Sequence, residues 1–139
     1  MDRIKNAIKT VVQRYGTSDP FRIADYLNIE VRFSALGEHP LGKTIYDHDD
    51  PIVMLNDSIC DTPKRYYVMA HELGHVILHE GLSTYYTGAY LGHNKLENEA
   101  NEFAIGLVGI MYQDDNDRPP ETIYELQIAY DIYDQEFLE

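Results

Sequence analysis

The stretch HELGHVILHEG, residues 71–81, holds three histidines at intervals of four, with a glutamate directly after the first. On an α-helix, His71 and His75 project from one face, one above the other, so both imidazoles can reach a single ion. Glu72 is turned about 100° away, which sets its carboxylate beside such an ion, where it can hold a water while the imidazoles ligate. A lone histidine on an apolar face is more often a satisfied core residue than a ligand. Here the pair and its glutamate form a short pattern with a chemical rationale. His79, one turn further on, reads as a structural residue or as one that supports a ligand. Gly74 costs about 1 kcal/mol of helix propensity against Ala, so its presence points to a close backbone approach there.

A hydrolytic zinc site needs three protein ligands and one open position. Cys60 is the only cysteine, which excludes an internal disulfide and thiolate-rich metal sites, so the third ligand must be His, Asp or Glu. The segment HNKLENEANEFAIGLVGIM, residues 93–111, offers three carboxylates on a predicted helix. At about 100° per residue, Leu96, Ala100, Phe103, Ala104, Leu107, Val108 and Met111 form one apolar face. Glu97 falls inside that face, Glu99 on its margin and Glu102 roughly opposite, where a solvated charge belongs. A buried carboxylate must be paired or bind a metal, so Glu97 is the candidate third ligand. With Zn²⁺ held by His71, His75 and Glu97, Glu72 would act as general base in peptide-bond hydrolysis. A donor for the tetrahedral oxyanion could come from Tyr85, Tyr86, Tyr90 or His93, although in a chain with 12 tyrosines any one of them more often packs.

The elements that must position these residues are legible in the spacing. Residues 2–15 carry apolar side chains at helical intervals before Gly16, and Asp19 with Pro20 opens a short second helix that should end near Asn28. IEVRF, GKTIYD and PIVMLN are β-branched or aromatic runs between turn residues, which predicts a three-stranded sheet with DHDDP, residues 47–51, joining the last two strands. Thr62 as N-cap and Pro63 at the first helical position bound the histidine helix at 63–79. Residues 81–94 read as a loop, a second ligand helix runs from 95 to 111, QDDNDRPPE reads as a polar linker, and residues 121–138 make a last amphipathic helix. The expected fold class is α+β and zincin-like: a small three-stranded sheet packed with the HExxH helix, a second ligand helix and flanking terminal helices. One domain is expected over 1–139, with 1–28 as N-terminal helices, 29–57 as the sheet, 62–111 as the zinc-site helices and 112–139 as an acidic C-terminal helix.

The 139-residue chain is 44% hydrophobic, enough for one modest core, and no run of eighteen apolar residues or cleavable leader is evident, so a cytoplasmic protein is expected. Net charge is −13, and from residue 110 onward nine acidic residues stand against Arg118, a net of −8. Such a chain lacks the basic patch that direct nucleic-acid binding requires. A charge run usually marks a solvated surface, and it also attracts a basic partner such as a DNA-binding protein.

SDPFRIADYLNIEV, AHELGHVILH and LENEANEFAIGL together resemble the ImmA/IrrE family of zinc metallopeptidases found in phages, integrative elements and bacteria. The resemblance implies His71, His75 and Glu97 as zinc ligands and Glu72 as general base. It also implies cleavage or loss of a helix-turn-helix repressor, so that mobile-element or stress genes are derepressed. This chain departs from the family's usual ending of the second block, reading GLVGIMYQDD. The competing expectation is an acidic antirepressor that grips its partner without cutting it around a structural or vestigial zinc site. A general degradative peptidase is disfavoured for want of any restraining pro-segment.

Overall fold

The computed structural model describes residues 2–80, 84–86 and 95–132. Helix α1 (Arg3–Tyr15) is capped by the Asp2 side chain, which accepts from the Ile4 and Lys5 amides, and it ends on Gly16 at φ 67°. Gly16 takes that left-handed geometry without a Cβ penalty and returns its N–H to the Val12 carbonyl. Helix α2 (Pro20–Tyr26) starts as the sequence predicts, with the Asp19 carboxylate accepting from the Phe21 amide.

Strands β1 (Glu30–Ser34), β2 (Gly42–Asp47) and β3 (Asp50–Asn56) follow, with β2 and β3 joined by the expected turn through His48 and Asp49. A fourth short strand, β4 (Thr84–Tyr86), lies in the stretch read as a loop. The order is β1-β3-β2-β4, with β1 parallel to β3 and the other pairs antiparallel. β4 is only three residues long, which is why no alternation announced it.

Helix α3 (Lys64–Leu78), helix α4 (Lys95–Asn116) and helix α5 (Ile123–Tyr130) complete the α+β fold. Several boundaries differ from the sequence expectation. Pro63, not Thr62, occupies the N-cap of α3, because the Thr62 hydroxyl donates instead to the Ile59 carbonyl. α4 runs on to Asn116, since the polar residues after Met111 are solvated and the helix stops only where Asp117 turns to φ 58°, just ahead of the prolines. α5 ends at Tyr130 rather than 138, with Asp131 left-handed and the Ile132 amide bonded to the Gln127 carbonyl; residues 133–139 lie outside the described set.

The core lies between α3 and its neighbours. Val53 and Leu55 of β3 pair in register with Thr44 and Gly42 of β2, and this buried row faces α3. On the other side, Ala100, Phe103, Ala104, Leu107 and Val108 of α4 are buried, the face that the helical wheel picked out. Close approach requires the two central glycines. A Cβ on Gly74 would stand 3.1 Å from the Phe103 Cβ, and one on Gly42 would stand 2.8 Å from Val68 Cγ1 and 3.3 Å from Glu72 Cγ. Gly42→Ala is therefore expected to push β2 off α3 and cost about 1–3 kcal/mol, read as a lowered urea midpoint with unchanged slope. An unchanged midpoint would mean that the sheet and helix are not held at this separation. Among the described residues, no helix is long and apolar enough to cross a membrane.

Candidate metal centre

α3 presents His71 and His75 one turn apart, both fully buried, with ring centroids 4.8 Å apart. Their Nε2 atoms lie 3.2 Å from each other. Glu97 enters from the first turn of α4, where the helix N-terminus favours a negative charge. Its Oε2 lies 2.9 Å from His71 Nε2 and its Oε1 lies 3.0 Å from His75 Nε2. The two carboxylates that the helical wheel set aside behave differently from Glu97: Glu102 is exposed, and Glu99 turns toward His79.

His71, His75 and Glu97 each bring one donor atom to a common point, within 4.8 Å of one another. Ligands around a tetrahedral cation with bonds of about 2.0–2.1 Å are separated by about 3.3 Å, close to the spacing seen here. Two imidazole nitrogens and one carboxylate are also a donor set that suits zinc. The residues present therefore fit a divalent metal. Burial pushes the Glu97 carboxyl up, but hydrogen bonds from His71 and His75 outweigh it and hold the group down at about 2, so it is ionised and able to ligate.

Glu72 leaves the same helix toward the sheet. It is fully buried, and its Oε1 accepts a 2.7 Å hydrogen bond from the Thr44 hydroxyl of β2, itself fully buried. Its Oε2 has no hydrogen-bond partner among the described residues. Burial pushes the Glu72 carboxyl up to about 7, against the opposing pull of His75 and of the Thr44 hydrogen bond. Thr44 is the site residue that sequence reasoning missed. Its signal was faint: in GKTIYD a glycine and a threonine, rather than two large apolar residues, occupy the inward positions of β2.

His79 lies beside His75, outside the three-residue cluster. Its Nδ1 lies 2.9 Å from His75 Nδ1, and its Nε2 lies 2.8 Å from Glu99 Oε1. Glu99 Oε2 in turn accepts from Arg3 at 3.1 Å. Burial lowers the His79 imidazole pKa below its ordinary value, against the opposing pull of the Glu99 hydrogen bond. Of the oxyanion-donor candidates, Tyr90 and His93 lie outside the described residues, and Tyr85 and Tyr86 are described only as backbone of β4.

The profile of the Peptidase_M78 family, described as an IrrE N-terminal-like domain, matches residues 24–128, which span α3 and α4 with every residue of the cluster. The chain belongs to that family. Among similar proteins, the "Uncharacterized immunity region protein 2" of Bacillus phage phi105 is 33% identical over 107 residues, covering 76% of this chain and 67% of the relative. The "Metallopeptidase ImmA" of Bacillus subtilis (strain 168) is 28% identical over 111 residues, covering 76% of this chain and 62% of the relative. The match thus spans about two thirds of these relatives' own length. Membership in Peptidase_M78 makes this a metallopeptidase-like chain and implies a metal, and the α3–α4 cluster is where its described residues can hold one.

Proposed function

We propose that this Peptidase_M78 chain is a zinc-dependent, site-specific endopeptidase that cuts a helix-turn-helix repressor and so derepresses phage or mobile-element genes. The observation that carries the reading is Glu72. A metal site that served only structure would have no need of a carboxylate beside it, and burying one is unfavourable unless it is used. In this reading His71, His75 and Glu97 hold the zinc, which when bound lowers the pKa of a water toward about 7 and polarises the scissile carbonyl. Glu72 takes the proton of the attacking water and later delivers it to the leaving amine. Thr44 fixes one oxygen of that carboxylate and leaves Oε2 to receive the proton.

Substrate binding would use the sheet. Among the described strands β4 stands at the edge beside β2, with Thr84 in register with Thr44, so an extended peptide added there would lie one strand away from the strand that anchors Glu72. The net charge of −13 favours a basic partner, as DNA-binding proteins are, and the phage relative is named for an immunity region. A repressor substrate places the activity in the cytoplasm.

The test is mass spectrometry of the helix-turn-helix protein encoded beside this gene, after co-expression with wild type and with Glu97→Ala. Defined fragments with wild type alone support a metal-dependent cut and give its position. An intact partner that co-purifies with both forms overturns the protease in favour of a non-cleaving acidic antirepressor. An intact partner without association overturns the choice of substrate.

A further inference from the structure

We propose that His79 and Glu99 are positioning residues for the metal site, holding the His75 ring so that Nε2, not Nδ1, is offered to the cation. The proposal rests on the metal-site reading above and is independent of what the protein cleaves. Its basis is an unbroken line of four side chains from α1 to the cluster: Arg3, Glu99, His79, His75. All but Arg3 are buried or largely buried, with His75 at 0% and His79 at 3% side-chain exposure.

The two Nδ1 atoms of His75 and His79 face each other at 2.9 Å, so one must carry a proton and the other a lone pair. The far end of the line decides which. Glu99 receives Arg3 on Oε2 and His79 on Oε1, and a carboxylate paired with a guanidinium is an acceptor only. His79 must therefore carry its proton on Nε2 and present a lone pair at Nδ1. With a cation in the cluster, His75 must then donate from Nδ1 and turn the lone pair of Nε2 to the ion; in the metal-free protein the same Nε2, 3.0 Å from Glu97 and 3.2 Å from His71 Nε2, carries a proton toward the Glu97 carboxylate instead. In the reverse arrangement His75 would have its proton on Nε2 and nothing to give a cation. The His79 Nε2 lone pair would also point at a carboxylate oxygen 2.8 Å away. A metal-bound histidine commonly donates its other nitrogen directly to a carboxylate. Here a second histidine is interposed, and the carboxylate comes from the same helix as Glu97. Arg3 also donates to the Leu78 carbonyl at 3.3 Å, so the line ties α1 to the end of α3 as well as to α4.

The experiment measures zinc affinity of the full chain by competition with a chelating dye, at one fixed pH, for wild type, Glu99→Leu, Glu99→Gln and Glu102→Leu. Glu99→Leu removes the acceptor and is expected to weaken zinc binding about 10–100-fold. Glu99→Gln keeps an oxygen that can accept from His79 and should lose less. Glu102→Leu, an exposed change on the same helix, should match wild type. A second readout needs no variant: in the histidine ¹H–¹⁵N spectrum of the zinc-loaded protein, His75 should be protonated at Nδ1 and His79 at Nε2. Equal affinity in folded Glu99→Leu, or a proton on His79 Nδ1, overturns the relay alone. Wild type without affinity for zinc brings down the metal-site reading and the relay with it.

Discussion

Glu72→Gln is expected to lower peptide hydrolysis by a factor of about 10²–10⁴ while zinc remains bound. The amide has nearly the shape of the carboxylate and can still accept from the Thr44 hydroxyl, so the contact between β2 and α3 survives. What it cannot do is take a proton. His71, His75 and Glu97 are untouched, and their donor atoms meet without help from Glu72. The measurement is turnover of a peptide spanning the cut site, beside zinc content of the same preparation. Loss of both activity and zinc would recast Glu72 as a support for the metal. Full activity would end the assignment of Glu72 as general base.

The placement of the candidate site residues was legible in the sequence where helical periodicity governs it, and illegible where tertiary contacts do. The interval between His71 and His75 fixes their common face on any helix, and the apolar stripe of α4 fixes the inward direction of Glu97, so both could be placed before any fold was known. Gly74 was likewise readable, because a glycine inside a helix is unfavourable unless something packs against it, and Phe103 does. Thr44 could not be read this way. Its role depends on β2 lying over α3 at a distance set by Gly42, which is a matter of sheet order and register rather than of local pattern. The same holds for Glu99, which the wheel placed at the margin of the buried face. Only the packing of α3 on α4, and of α1 against that pair, brings His79 and Arg3 to its two oxygens. The helix boundaries were misjudged for a simpler reason. Solvated polar residues after Met111 neither favour nor forbid continuation, so α4 ran on until a left-handed residue and the prolines stopped it.

In the metal-free protein, Glu72 is expected to make stability fall as pH rises from about 4.5 to about 7. Burial pushes its carboxyl up from 4.5 to about 7 in the fold, so across that interval the folded chain keeps a proton that the unfolded chain has released. Raising the pH therefore favours unfolding. Below the lower value both states are protonated and there is no penalty; above the upper value both are ionised and the penalty is complete, on the order of 3 kcal/mol. Glu97 acts in the opposite direction and in a separate window. Burial raises its pKa, but the two histidines prevail and hold it at about 2, so its contribution is present above 4.5 and is lost as pH falls from there. Urea unfolding in chelator at about pH 4.5 and about pH 8, for wild type and Glu72→Gln, isolates Glu72 and the groups coupled to it, because titrations not coupled to Glu72 cancel between the two proteins. The variant should gain on wild type by roughly that penalty at the higher pH. A difference that does not change with pH would mean that Glu72 is solvated and not held in an apolar setting. The same burial bears on the chemistry. A carboxylate that titrates at 4.5 is a feeble base at neutral pH, whereas one lifted toward 7 can both accept a proton from water and release it to an amine. In the proposed hydrolysis the same desolvation that costs the metal-free fold stability at Glu72 would raise the basicity of that carboxylate.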